Sequence, residues 1–113
     1  MKALSDYVHS KGLKFGIYSS PGPATCGGYT GSYQHEAQDA KTWAKWGVDY
    51  IKYDWCSYGN VAGKSLDDMQ KPYKVLRTGL DNCGRDIVFS LCQYGMGEVF
   101  KWGTEVGLSL IHI

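Results

Sequence analysis

Hydrophobic and polar positions along the chain fall into three repeats of one pattern. Apolar residues spaced three and four apart give way to a glycine, and the glycine to a short β-like run. Leu4, Tyr7 and Val8, then Ala37, Ala40, Trp43 and Ala44, then Met69, Tyr73, Leu76 and Leu80 each mark one face of a helix. The segments "HSKGLKFGIYSS", "AKWGVDYIKYDWC" and "DNCGRDIVFSLCQ" each read as a helix end, a glycine stop and a strand. Gly12, Gly47 and Gly84 recur about every 35 residues. Each suits the left-handed position that closes a helix, where a Cβ would clash. Pro72 has no backbone N–H, so the third helix is expected to begin close to it.

Alternating helices and strands imply parallel strands joined by crossover helices rather than hairpins. Eight such units would run to roughly 280 residues, near the usual length of a (β/α)8 barrel. Three consecutive helix-strand units therefore predict an incomplete (β/α)8 TIM barrel. A doubly wound open sheet is the competitor, but no G-x-G-x-x-G turn follows any strand, and "CGGYTGS" lacks the lysine of a phosphate-binding loop.

In parallel α/β folds the working residues sit at the C-terminal ends of strands. Aligned on their glycines, the strands finish at "IYSS", "KYDWC" and "SLCQYG". Tyr18, Ser19, Asp54, Trp55, Gln93 and Tyr94 gather at that rim. Asp54 is its one acid. Read from position alone, Asp54 is equally a carboxylate capping the next turn or a nucleophile or base. Lys52 is two residues away in an extended strand, so both side chains share a face and the ammonium would keep the carboxylate ionised. For Lys52, a structural ion pair and a substrate contact stay equally open. The loop "GPATCGGYTGSY" is either a connector or a cleft wall. "HEAQD" has Asp39 where a zinc motif needs a second histidine and reads as a polar helix face, and Trp43 and Trp46 read as packing residues.

Composition removes several classes of function. Twelve basic against eleven acidic residues give a net charge of +1, without the basic stripe of a nucleic-acid binder. No apolar run approaches the roughly 20 residues that span a bilayer, and the N-terminal residues lack the apolar core of a signal peptide. Neither nucleic acid nor membrane is an expected partner. Cys26, Cys56, Cys83 and Cys92 form no C-x-x-C pair, and His9, His35 and His112 are scattered, so no zinc site is expected. Nine tyrosines and four tryptophans are many for this length. Sugar-binding clefts use such rings, as do cores.

"KFGIYSSPGPATCGG", "GSYQHEAQDAKTWAKWGVDYIKYDWCSYG", "PYKVLRTGL", "IVFSLCQYG" and "WGTEVG" closely resemble the melibiase-type α-galactosidases of glycoside hydrolase family 27. The resemblance implies a (β/α)8 catalytic barrel, secreted, periplasmic or lysosomal, that removes terminal α-linked galactose with retention of configuration and needs neither cofactor nor metal. Its substrate would be a galactose-containing oligosaccharide or glycoconjugate. Asp54 falls on the family nucleophile. Tyr18 and Lys52 fall on residues that contact sugar hydroxyls, and Trp55 and Gln93 are further expected contacts. The resemblance also pairs Cys26 with Cys56 in a disulfide beside the substrate and leaves Cys83 and Cys92 as buried thiols.

Gln93 stands where many members carry glutamate, which leaves open related activities such as α-N-acetylgalactosaminidase or β-L-arabinopyranosidase. After "WGTEVG" the family continues into a strand bearing the acid/base aspartate, whereas "LSLIHI" follows here. Residues 1–107 are thus expected to be the central part of the barrel and 108–113 a tail foreign to the family. A retaining glycosidase needs a second carboxyl about 5 Å from the first. The isolated chain is therefore expected to be inactive and its edge strands to make it fold poorly; the alternative to a piece of an α-galactosidase is a catalytically inert sugar-binding fragment. Oligomeric state is not readable from the sequence.

Overall fold

The computed structural model describes residues 1–109. Helix α1 (Lys2–Ser10) leads to strand β1 (Gly16–Ser19), α2 (Glu36–Trp46) to β2 (Tyr50–Tyr53), α3 (Leu66–Asp81) to β3 (Val88–Leu91), and α4 (Val99–Val106) to β4 (Leu108–Ser109). The four strands form one sheet in the order β1-β2-β3-β4. Every pairing is parallel, with Lys52 level with Tyr18 on one side and Ser90 on the other. A doubly wound sheet reverses its strand order at a switch point. Strands added in chain order, each after a crossover helix, instead make the wall of an incomplete (β/α)8 barrel. No described helix is long and apolar enough to cross a membrane.

Each strand separates two environments. Ile51, Tyr53, Phe89 and Leu91 are buried and pack with Ala40, Trp43, Tyr73, Leu76 and Leu80 from the helices. Tyr18, Lys52 and Val88 lie on the opposite, open face, where each is half-buried or exposed. Trp43 is core and Trp46 packs against it. In α1, Leu4 and Tyr7 remain exposed. That helix instead places buried Ser5 against the end of α2, its hydroxyl 3.4 Å from the Gly47 carbonyl.

Two expectations about helix ends require correction. Gly12, Gly47 and Gly84 all adopt left-handed φ angles of 76°, 80° and 82°. Gly84, however, lies three residues beyond α3, which closes on Asn82. Helix α3 also begins well before Pro72. Ser65 accepts from the Asp68 N–H while the Asp68 carboxylate reaches back to the Ser65 N–H, a capping box that starts the helix at Leu66. Pro72 then occupies the second turn and forgoes a bond to the Asp68 carbonyl. Its ring is fully buried, and that packing offsets the loss.

At the N-terminal end of the strands, Asp49 ties three segments together. Its carboxylate accepts from Phe15 N at 2.8 Å, lies 2.6 Å from His9 Nε2 and accepts from Arg85 Nη2 at 2.7 Å. Burial alone would raise its pKa, but the hydrogen bonds from Phe15, His9 and Arg85 outweigh it and hold the group well below its ordinary 3.8. A depressed folded-state pKa contributes stability that is complete above the unfolded value and disappears as pH falls toward the folded one. Asp49→Asn is therefore expected to cost about 1–3 kcal/mol at neutral pH. The difference from the parent should narrow as pH drops below 3.8, which denaturant titrations at stepped pH would measure.

Candidate active site

Asp54 follows directly on β2, and its N–H continues the ladder to the Ser19 carbonyl at 3.1 Å. The residue is only 6% exposed. One carboxylate oxygen accepts from the Trp55 N–H at 3.2 Å, and the other lies 3.8 Å from Lys52 Nζ. The same ammonium sits 5.6 Å from the centroid of the Tyr18 ring. Strand alternation thus brings Tyr18, Lys52 and Asp54 to one face at the C-terminal rim. Behind Asp54, the Tyr73 hydroxyl of α3 donates to its backbone carbonyl at 3.0 Å. Burial and the nearby Asp54 charge push the Tyr73 phenol far up in pKa, so it stays a donor.

The glycine-rich loop forms a wall fastened to the segment after β2. Cys26 and Cys56 are joined in a disulfide with Cα atoms 5.1 Å apart. Ser57 Oγ donates to the Ala24 carbonyl at 2.7 Å and accepts from the Ala24 N–H at 2.9 Å. Ser20 Oγ donates to the Cys56 carbonyl at 2.9 Å. At Gly22 a Cβ would collide with Ser57, and at Gly31 with the Gly22 carbonyl, so the close approach requires glycine at both. The disulfide sulfurs and a carboxylate oxygen of Asp54 lie within 4.8 Å of one another. Both sulfurs are committed to their own bond, so the group offers no thiolate to a metal.

Trp55 is not brought to this face. Trp55 points the other way from Asp54 and stacks on Tyr73, with ring centroids 6.2 Å apart and planes at 19°. Gln93 is 1% exposed. Neither polar atom of its amide has a hydrogen-bond partner among the described residues.

Cys92 takes the place level with Asp54. Its N–H extends the ladder to the Tyr53 carbonyl at 2.9 Å, and its thiol is half-buried rather than buried, as is that of Cys83. Burial first, and then the Asp54 charge, raise the Cys92 pKa against a smaller opposing pull from Lys52. The register identifies Cys92, two residues on from Ser90, the partner of Lys52; aligned on their glycines, the sequence segments instead set Leu91 level with Asp54. No sequence signal pointed to Tyr73. Of the predicted tail, Leu108 and Ser109 pair with β3, and 110–113 lie outside the described residues.

Parallel strands in chain order, each following a crossover helix, with a buried carboxylate at their C-terminal rim, define part of an α/β barrel. The protein-family model described as Alpha galactosidase A matches residues 1–105, and the chain belongs to that family. It is 48% identical over 109 residues to alpha-galactosidase A of Cellvibrio japonicus, covering 96% of this chain and 26% of that protein. It is 51% identical over 110 residues to the alpha-galactosidase of Coffea arabica, covering 96% and 28%. The chain thus spans about a quarter of the length of these relatives. Among solved structures, alpha-galactosidase I of Mortierella vinacea superposes with a TM-score of 0.88 at 42% identity, over 94% of this chain and 26% of that one. The Saccharomyces cerevisiae enzyme solved with raffinose gives 0.87 at 35%, over 94% and 23%. A β-L-arabinopyranosidase from Geobacillus stearothermophilus, at 24% identity and a TM-score of 0.68 over 94% of this chain and 32% of that one, shares the fold.

Proposed function

We propose that this chain is the central part of the catalytic barrel of a retaining α-galactosidase in which Asp54 is the nucleophile. The observation that carries the reading is a buried carboxylate at a strand's C-terminal end, faced by a lysine at 3.8 Å. Asp54 attacks the anomeric carbon of a terminal α-linked galactose, and the bond to the leaving oxygen breaks as that oxygen takes a proton from an acid. Water then attacks the same carbon, the Asp54–carbon bond breaks, and the conjugate base takes the water's proton. Two displacements return the original configuration.

Lys52 and Tyr18 are placed to bind sugar hydroxyls, and the Cys26–Cys56 disulfide forms the adjoining wall. Trp55 supports Asp54 from the helix-covered side through its stack on Tyr73. The acid/base carboxyl comes from elsewhere in the barrel. Among the described residues no second carboxylate stands beside Asp54, and Asp49 lies at the opposite end of the strand. The preference for galactosides over N-acetylgalactosaminides or arabinopyranosides rests on the much higher identity to proteins named α-galactosidases. A galactosyl oligosaccharide like the raffinose held by the yeast enzyme fits this reading. The disulfide favours an oxidising compartment, secreted, periplasmic or lysosomal.

The test is the stereochemistry of the first product. With an α-galactoside and the complete enzyme, proton NMR during the first turnovers should record α-galactose before mutarotation. Initial β-galactose would establish a single displacement by water and remove the nucleophile from the scheme.

A further inference from the structure

Tyr73 of α3 is fully buried behind Asp54, and its hydroxyl donates to the Asp54 backbone carbonyl at 3.0 Å. Tyr53 meets its ring edge-on with centroids 5.9 Å apart, Trp102 of α4 lies 5.8 Å away, and Trp55 stacks on it at 19°. A ring so enclosed keeps its hydroxyl in one place. The carbonyl it bonds shares a peptide unit with the Trp55 N–H, which in turn bonds a carboxylate oxygen of Asp54 at 3.2 Å. In a trans peptide such as this one the C=O and N–H point in opposite directions. A donor that grips the carbonyl from the helix side therefore aims the N–H toward the open face, where the carboxylate lies. The ammonium of Lys52 stands further off, at 3.8 Å.

Resting on the reading of Asp54 as nucleophile, we infer that Tyr73 is a positioning residue for the hydrolysis: its hydroxyl fixes the Asp54–Trp55 peptide, and the N–H of that peptide fixes the carboxylate that attacks the sugar. One bond has two effects. Attack on the anomeric carbon needs the carboxylate oxygen aligned with it, and a small rotation of the group spoils that alignment. The N–H also favours the ionised carboxylate, and a carbonyl that accepts a hydrogen bond polarises its peptide and strengthens the N–H as a donor. Without the Tyr73 hydroxyl the buried carbonyl loses its partner, and the peptide turns toward another donor. The N–H leaves the carboxylate with it. Tyr73 is enclosed on the helix side of the sheet and acts through Asp54 rather than on the sugar.

The experiment compares Tyr73→Phe with the parent in the complete enzyme, following hydrolysis of a nitrophenyl α-galactoside across pH and galactose affinity by calorimetry. Phenylalanine keeps the ring and its stack on Trp55 and removes only the bond. With galactose affinity retained, kcat/KM should fall about tenfold. The acid limb of its pH profile should move to higher pH, because ionisation of the free enzyme's essential carboxylate sets that limb. The other titratable groups around this carboxylate stay as they are: Lys52 on β2, Tyr18 on β1, and after β3 Cys92 and Tyr94, whose hydroxyl lies 3.7 Å from Cys26 Sγ and 3.8 Å from Cys56 Sγ. A merely structural role would scale the profile by the active fraction without moving it. Trp55→Phe keeps the N–H but loosens the stack, so it should move the limb the same way by less, and it carries the test where Tyr73→Phe does not fold. An unchanged kcat/KM, or a fall with the limb unmoved, overturns the inference. Mapping the peptide that a fluorinated galactosyl donor labels in the parent checks the nucleophile separately. Label on another residue overturns that assignment and this inference with it, whereas label on Asp54 with an unmoved limb overturns only the role of Tyr73.

Discussion

Asp54→Asn in the complete enzyme is expected to lower kcat by about ten-thousandfold or more while leaving galactose binding measurable. The amide has the carboxylate's shape, and its oxygen can still accept from the Trp55 N–H that now bonds Asp54 at 3.2 Å. What disappears is the charge. A neutral amide oxygen is a poor nucleophile, and Lys52 loses the anion it faces at 3.8 Å. Chemistry and binding should separate, with hydrolysis followed on a chromogenic galactoside and affinity followed by calorimetry with galactose. Hydrolysis within tenfold of the parent would take the nucleophile's role away from Asp54.

Removing the disulfide should have the largest effect on stability. Cys26 and Cys56 are 30 residues apart, and on the chain-entropy account a loop of that length contributes about 3 to 4 kcal/mol. Cys26→Ser combined with Cys56→Ser should shift the denaturant midpoint by the corresponding amount under non-reducing conditions. Activity should fall as well, because the wall carrying Tyr18 and Tyr94 contacts is held by this bond. The serine pairs between Ser57 and Ala24 and between Ser20 and Cys56 remain, so the loop should loosen rather than unfold. A midpoint unchanged by the double substitution would show that those hydrogen bonds alone suffice.

Much of the architecture was legible because it rests on local chemistry. Glycine relieves the left-handed turns at Gly12 and Gly47, and period-two alternation places Ile51 and Tyr53 against the helices. Asp54 was legible for the same reason, as a charge at the end of an otherwise apolar strand. The start of α3 is set by the Ser65–Asp68 capping box and not by Pro72, although both signals stand in the sequence. Trp55 neighbours Asp54 along the chain yet packs toward Tyr73 and the helices, because direction, not position, decides which face a side chain takes. Alternation continues past the last paired residue, so neighbours of a site residue face away from it and Cys92 faces toward it. Tyr73 lay beyond such counting, because it reaches the Asp54 backbone carbonyl from a neighbouring helix and depends on tertiary placement.

The order of the strands has a consequence for how the site is made. Each strand pairs with the next one in the chain, and the disulfide joins segments of two adjacent units. Among the described residues, the contacts that fix Asp54 come from Ser19, Lys52, Trp55 and Tyr73, so they form without waiting for a distant part of the chain. Short sequence separations close quickly and at small entropic cost. During vectorial synthesis the surroundings of Asp54 can be assembled and oxidised as an early unit, before the barrel closes around them.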